Sequence, residues 1–185
     1  MKIVLTGGPS AGKTTLVQII EREFRDFVVT VPESASILFK GGMFRGASEL
    51  DLIYQQRAIY YLQVELETLA QKKNPNKVIV CDRGSLDGMA YWPSTSNISF
   101  LESIGTTVSH ECERYDWVLH LETSASHAYD ISNPIRIESY DQAKIVDEKV
   151  KAAWSSHPNR VIIYNSQAFS RKVEQVLKIM HQILF

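Results

Sequence analysis

The sequence predicts an α/β fold, a five-stranded parallel sheet in a three-layer arrangement with helices on both faces. Short apolar runs rich in valine and isoleucine alternate with longer helical patterns, the rhythm of strands buried on both sides by crossover helices. A glycine-rich turn stands between the first strand and the first helix, at the carboxyl end of a strand where such sheets bind ligands. A chain of 185 residues, 44% of them hydrophobic, buries about 70% of its unfolded surface, which completes one core without a disulfide or metal staple. No repeat, low-complexity tract or long linker divides it, so residues 1–185 are expected to form a single domain.

Strands are expected at 2–6, 27–31, 77–82, 117–121 and 160–164, each too short for a helix and each near Gly, Pro, Asn or Asp. Residues Leu16 to Ile20 open the first helix. From 48 to about 72 runs a long amphipathic helix, started by the capping-box pair Ser48 and Asp51, with Leu50, Tyr54, Ala58, Leu62, Leu66 and Leu69 along one stripe. Its other face carries Gln56, Tyr60, Gln63 and Glu67 with Arg57 beside them, a face that is ordinarily solvated but can read a ligand. Ser139 and Gln142 cap a helix that turns Ala143, Val146, Val150 and Ala153 inward and stops near Pro158. A last amphipathic helix spans 167–183, with Phe169, Val173, Val176, Leu177 and Met180 on one side.

Twenty Lys and Arg against 21 Asp and Glu leave a formal net charge of −1, so no basic field exists to attract nucleic acid or an anionic membrane. Cys81 and Cys112 form no Cys-x-x-Cys pair and the five histidines show no metal-ligand spacing, which suits a reducing compartment. The apolar run at the N-terminus breaks at Thr6, too early for a signal peptide, and no later run is long enough to span a membrane. A cytoplasmic location is expected.

Gly7-Gly8-Pro9-Ser10-Ala11-Gly12-Lys13-Thr14 matches the GxxxxGK[ST] pattern in full, with a strand before it and a helix after it. Successive backbone N–H groups of such a loop, continued into Thr15, converge on one phosphate, helped by the positive end of the helix. Lys13 is expected at the β- and γ-phosphates and the Thr14 hydroxyl on Mg²⁺. The fold is accordingly a P-loop NTPase fold with ATP and Mg²⁺ as cofactors, and the absence of a guanine-reading Asn/Thr-Lys-x-Asp motif favours ATP.

A phosphate loop does not name a reaction. The third strand delivers Asp82 and Arg83 to the same rim, Asp82 to hold Mg²⁺ or accept a proton and Arg83 to clamp phosphate, with a helix N-cap as the alternative for Asp82. The second strand ends at Glu33, a candidate proton acceptor for a substrate hydroxyl or else a first-turn helix residue. Arg136, in a lid at about 123–140, can close on the γ-phosphate or pair with surface carboxylates. Tyr91-Trp92-Pro93 reads as a core edge or as a stacking surface for an acceptor ring. Cys81 reads as packing, His127 and His157 as exposed and incidental, and His120 as a strand residue.

Four segments together resemble a known family: residues 4–16, Val31-Pro32-Glu33-Ser34-Ala35, residues 82–92 and Asn133-Pro134-Ile135-Arg136-Ile137-Glu138. They are similar to a small family of AAA-type P-loop proteins that includes the nicotinamide riboside kinase domain of NadR-type regulators and is related to thymidylate and deoxynucleoside kinases. The resemblance runs from residue 1 to about 179. It implies strand order 2-3-1-4-5, a lid between the fourth and fifth strands, Asp82 near Mg²⁺, Arg83 near phosphate and Glu33 near an acceptor hydroxyl. No adenylyltransferase or DNA-binding module accompanies it, and the features of a hexameric AAA motor are not evident. Two functions are carried forward: a kinase acting on a small hydroxyl acceptor, and a nucleotide-dependent switch that hydrolyses slowly against a protein partner. The oligomeric state stays open.

Overall fold

The computed structural model describes residues 1–124, 139–165 and 168–185. Among these, β1 (Lys2–Thr6), β2 (Val28–Val31), β3 (Val78–Asp82), β4 (Trp117–Leu121) and β5 (Arg160–Ile163) form one parallel sheet in the order β2-β3-β1-β4-β5, as the sequence led us to expect. Side chains alternate across it. Ile3 and Leu5 face one side, where α1 (Lys13–Glu23) and α7 (Phe169–Leu184) cover them with Leu16, Ile20, Val176 and Met180. Val4 faces the other, against Leu86, Val150 and Trp154. Each fully buried aliphatic side chain contributes about 1.5–3 kcal/mol.

That second side is built by α3 (Glu49–Lys73), a 3₁₀ helix (Ser85–Tyr91) and α6 (Tyr140–Ala153), while α2 (Ser34–Lys40), α4 (Phe100–Ile104) and α5 (Val108–Glu113) are short connectors the sequence did not announce. The capping boxes at Ser48 and Ser139 are both formed. The face α3 buries is not the expected one. Leu50, Tyr54 and Leu69 are half-exposed or more, whereas Gln55, Gln56, Tyr60, Gln63 and Glu67 are buried.

The physical reason is that polar partners wait underneath. Glu67, fully buried, accepts hydrogen bonds from Lys2 Nζ at 2.8 Å, Arg114 Nη2 at 2.9 Å and the Tyr115 hydroxyl at 2.7 Å. Tyr60 donates to Glu111 at 2.8 Å. A buried polar face is tolerable when its groups are paired, and removing one member of a buried pair is costly. Two smaller corrections concern histidine and α7. His157 is buried and bonds the Tyr115 carbonyl at 2.8 Å instead of lying exposed. Phe169 is 40% exposed and lies against Gly12 instead of in the core. No described helix is long and apolar enough to cross a membrane.

Candidate active site

The loop between β1 and α1 follows the path its glycines permit. Gly7 has φ 129°, and a Cβ there would collide with the Leu121 carbonyl. No acidic residue and no side-chain cap occupies the first turn of α1, so its orphan N–H groups stay available to an anion. Lys13 is buried and donates from Nζ to the carbonyls of Gly7 at 3.0 Å and Gly8 at 2.7 Å. Burial, then the charge of Arg83, lower its pKa to about 8 against the opposing pull of Asp82, Glu33 and Asp87. Pro9 through Thr15 line a cleft of about 730 Å³; Gly7 and Gly8 lie beneath it.

Asp82 ends β3 and is not a cap, since the 3₁₀ helix takes Gly84 as its N-cap. Its Oδ2 accepts from the Thr14 hydroxyl at 2.7 Å, while Oδ1 is buried with no hydrogen-bond partner among the described residues. Burial and the charge of Glu33 raise its pKa despite Lys13, Thr14 and Arg83. An orphaned carboxylate oxygen beside a threonine hydroxyl fits Mg²⁺, which takes few protein ligands and relies on phosphates and water for the rest.

Arg83 has φ 75°, a left-handed backbone that is uncommon for arginine and marks stored strain at a site. The bend returns its side chain over the loop. Nε donates to Glu33, and Nη1 reaches the Gly7 carbonyl at 3.2 Å and Asp87 Oδ2 at 3.3 Å. Burial works against its charge, but Tyr91, Glu33 and Asp87 outweigh burial and hold its pKa well above the ordinary value. Glu33 is the N-cap residue of α2 by position yet makes no capping bond, which leaves its carboxylate for Arg83 and for the Ser36 hydroxyl at 2.5 Å. Burial pushes the carboxyl up, and Arg83, Ser36 and Lys13 together bring its pKa down to about 2.

Lys13, Glu33, Asp82 and Arg83 thus converge at one rim. Arg136 and His127 lie outside the described residues. The cleft continues past Glu33 and Arg83 between α2, α3 and the 3₁₀ helix, lined by Phe39, Gln56, Ile59, Tyr60, Tyr91 and Phe100. Gln63 is committed elsewhere, accepting from Ser34 Oγ at 2.7 Å and donating to Glu67 Oε1 at 3.1 Å. Gln56 is 7% exposed and makes no side-chain hydrogen bond to any described residue. Arg57 stands over Tyr54, away from the cleft. Cys81 is core, its thiol pushed up by burial.

Two carboxylates were missed. Asp87 accepts from Thr6 Oγ1 at 2.6 Å and Trp154 Nε1 at 2.7 Å, which anchors the group that in turn holds Arg83. Asp147 accepts from the Gly8 N–H at 2.8 Å. A carboxylate interrupting the apolar face of α6, one turn after Ala143, was the available signal.

Among solved structures the chain is similar to deoxyadenosine kinase from M. mycoides with products dCMP and a flexible dCDP bound, at 13% identity, TM-score 0.63, over 98% of this chain and 100% of that one. The same enzyme with bound dATP aligns at 14% identity and TM-score 0.66, over 98% and 99%. At these identities the likeness establishes the fold. No curated protein matches the chain significantly. The AAA domain family profile matches residues 2–172, nearly the whole length, and the chain therefore belongs to the AAA domain family of P-loop proteins.

Proposed function

We propose that the protein is a Mg²⁺-dependent kinase that transfers the γ-phosphoryl of ATP to a hydroxyl of a small acceptor such as a nucleoside. The observation that carries this reading is the second half of the cleft, a pocket whose lining includes the Gln56 side chain and aromatic walls at Tyr60, Tyr91 and Phe100, reached from the phosphate loop across the Glu33–Arg83 pair. A switch that only hydrolyses nucleotide has no need of it. The deoxyadenosine kinase fold supports the same direction.

The backbone amides of residues 9–14 and the start of α1 orient the triphosphate, and Lys13 carries charge to its β- and γ-oxygens. Thr14 and Asp82 would hold Mg²⁺, which when bound would supply charge neutralisation to the phosphates. Arg83, kept cationic, faces the charge that develops on the transferred group. Glu33, ionised down to a pH of about 2, is a weak base; its part is to accept the hydrogen bond of the attacking hydroxyl and aim it in line. The acceptor is bound by an amide and stacked between aromatic rings. Balanced charge and the lack of a spanning helix among the described residues suit a cytoplasmic enzyme.

The test is ADP release from Mg·ATP with nucleosides, nicotinamide riboside, nucleoside monophosphates and sugars, each beside a no-acceptor control. Strong stimulation by one compound is expected and names the acceptor. Equal slow release in every well would replace the kinase with the switch.

A further inference from the structure

We propose that Asp147 is a positioning residue of the phosphate site, acting on Lys13 and Arg83 through the peptide plane between Gly7 and Gly8. Its carboxylate joins three parts of the chain. Oδ1 accepts from the Gly8 N–H at 2.8 Å and pairs with His120 Nε2 at 3.0 Å; Oδ2 accepts from the Thr123 N–H at 3.0 Å. α6 thereby grips the loop from below, β4 and the chain just after it.

A trans peptide is planar, with its N–H and C=O pointing opposite ways. When Asp147 fixes the Gly8 N–H on one side, the Gly7 carbonyl must point to the other. That carbonyl receives Lys13 Nζ at 3.0 Å and Arg83 Nη1 at 3.2 Å. The orientation of this peptide group therefore bears on where both cations of the site rest, with Lys13 held as well by the Gly8 carbonyl of the next peptide at 2.7 Å.

Two further observations agree. Gly8 has no positive φ to explain it, yet a Cβ there would meet the Thr123 hydroxyl, stand 2.7 Å from Asp147 Cβ and 3.0 Å from the Ala143 carbonyl. Close approach of α6 is what demands glycine at this position. The sign of the charge also excludes a direct role in affinity. Burial raises the carboxyl's pKa, but His120 and the Thr123 and Gly8 N–H bonds bring it below the ordinary value, so an anion sits beside a polyanion site. Coulomb attraction cannot be its purpose; geometry can. His120 Nδ1 has no partner among the described residues, so the Nε2 contact with Asp147 is the ring's one hydrogen bond among them and holds the carboxylate in place.

The inference rests on residues 7–14 binding nucleotide, so the readout is Mg·ATP binding by titration calorimetry, which needs no acceptor. Asp147→Asn keeps size but offers one acceptor oxygen where two are used, and is expected to weaken binding about tenfold or more while unfolding remains cooperative. In a Lys13→Ala background the same change is expected to add a smaller loss than in the wild type, because the route through Lys13 is gone and only the one through Arg83 remains. Unchanged or tighter binding would overturn the proposal, as would a full additional loss in the Lys13→Ala background. Should Asp147→Asn fail to fold, His120→Ala is expected to weaken binding and His120→Gln to restore it; equal behaviour of the two would overturn the proposal. Wild-type protein that binds no nucleotide would instead remove the reading of the loop beneath it.

Discussion

Under α1 and α7 the sheet is closed mainly by apolar side chains, among them Leu16, Ile20, Val176 and Met180 on Ile3, Leu5 and Leu119. Beneath α3 the contact is made by Gln63, Glu67, Lys2, Arg114 and Tyr115, a chain of hydrogen bonds that also reaches the Arg83 carbonyl through Gln63 Nε2 at 3.3 Å. Dispersion and water exclusion are non-directional, so the first contact fixes distance and little else. Hydrogen bonds are directional, so the second fixes the angle of α3 over the rim and the backbone at Arg83. Both faces carry stability, and the polar one also sets the geometry of the rim.

The comparison breaks most visibly at Glu67. Glu67→Ala leaves Lys2, Arg114 and Tyr115 without their common acceptor, and a loss of about 3–5 kcal/mol is expected in urea unfolding. On the aliphatic face, Val176→Ala is expected to cost about 2 kcal/mol, with kcat and KM unmoved. If both changes cost the same and neither touches turnover, the division between the faces is wrong.

The phosphate loop lies where the two faces meet, and Lys13 reports on it. In the free protein Lys13 loses its proton near a pH of about 8, while phosphates favour the charged form. ATP affinity should therefore hold below that pH and fall as pH rises through it, by up to tenfold per unit. The bend should vanish in Lys13→Ala. Between about 8 and the ordinary lysine value of 10.5 the unfolded chain holds the extra proton, so this group makes the unliganded fold more stable as pH rises.

Gln56→Leu sharpens the contrast within α3. Its amide has no partner to lose, so unfolding should be unchanged or slightly harder, whereas KM for the stimulating acceptor should rise about tenfold. Smallest of all, Leu50→Gln on the outward face is expected to shift unfolding by less than about 0.5 kcal/mol.

Strand positions and the placing of Lys13, Glu33, Asp82 and Arg83 at one rim were legible because each rests on a local pattern, a β-branched run, a glycine loop or a charge at a strand end, whereas the sheet order came from the family resemblance. The docking face of α3 was not. Periodicity records where apolar residues recur along a helix, and it says nothing of the lysine, arginine and tyrosine that other segments bring to the opposite side. Asp87 and Asp147 were hidden for a related reason. A single carboxylate has no spacing, and its meaning comes from Thr6, Trp154, Gly8 and His120, which are 27 to 139 residues away in the chain.

The order of residues along α3 has a consequence for how the protein can change. Leu52, Gln55, Gln56 and Ile59 face the pocket in its first half, and Gln63 and Glu67 fasten it to the sheet one and two turns later. Selectivity and attachment thus occupy successive segments of one rigid rod. On the kinase reading, exchanges in the leading turns would retune which acceptor is taken while the trailing turns keep the rod seated, so new substrate ranges would be open to this scaffold by few steps and without refolding it.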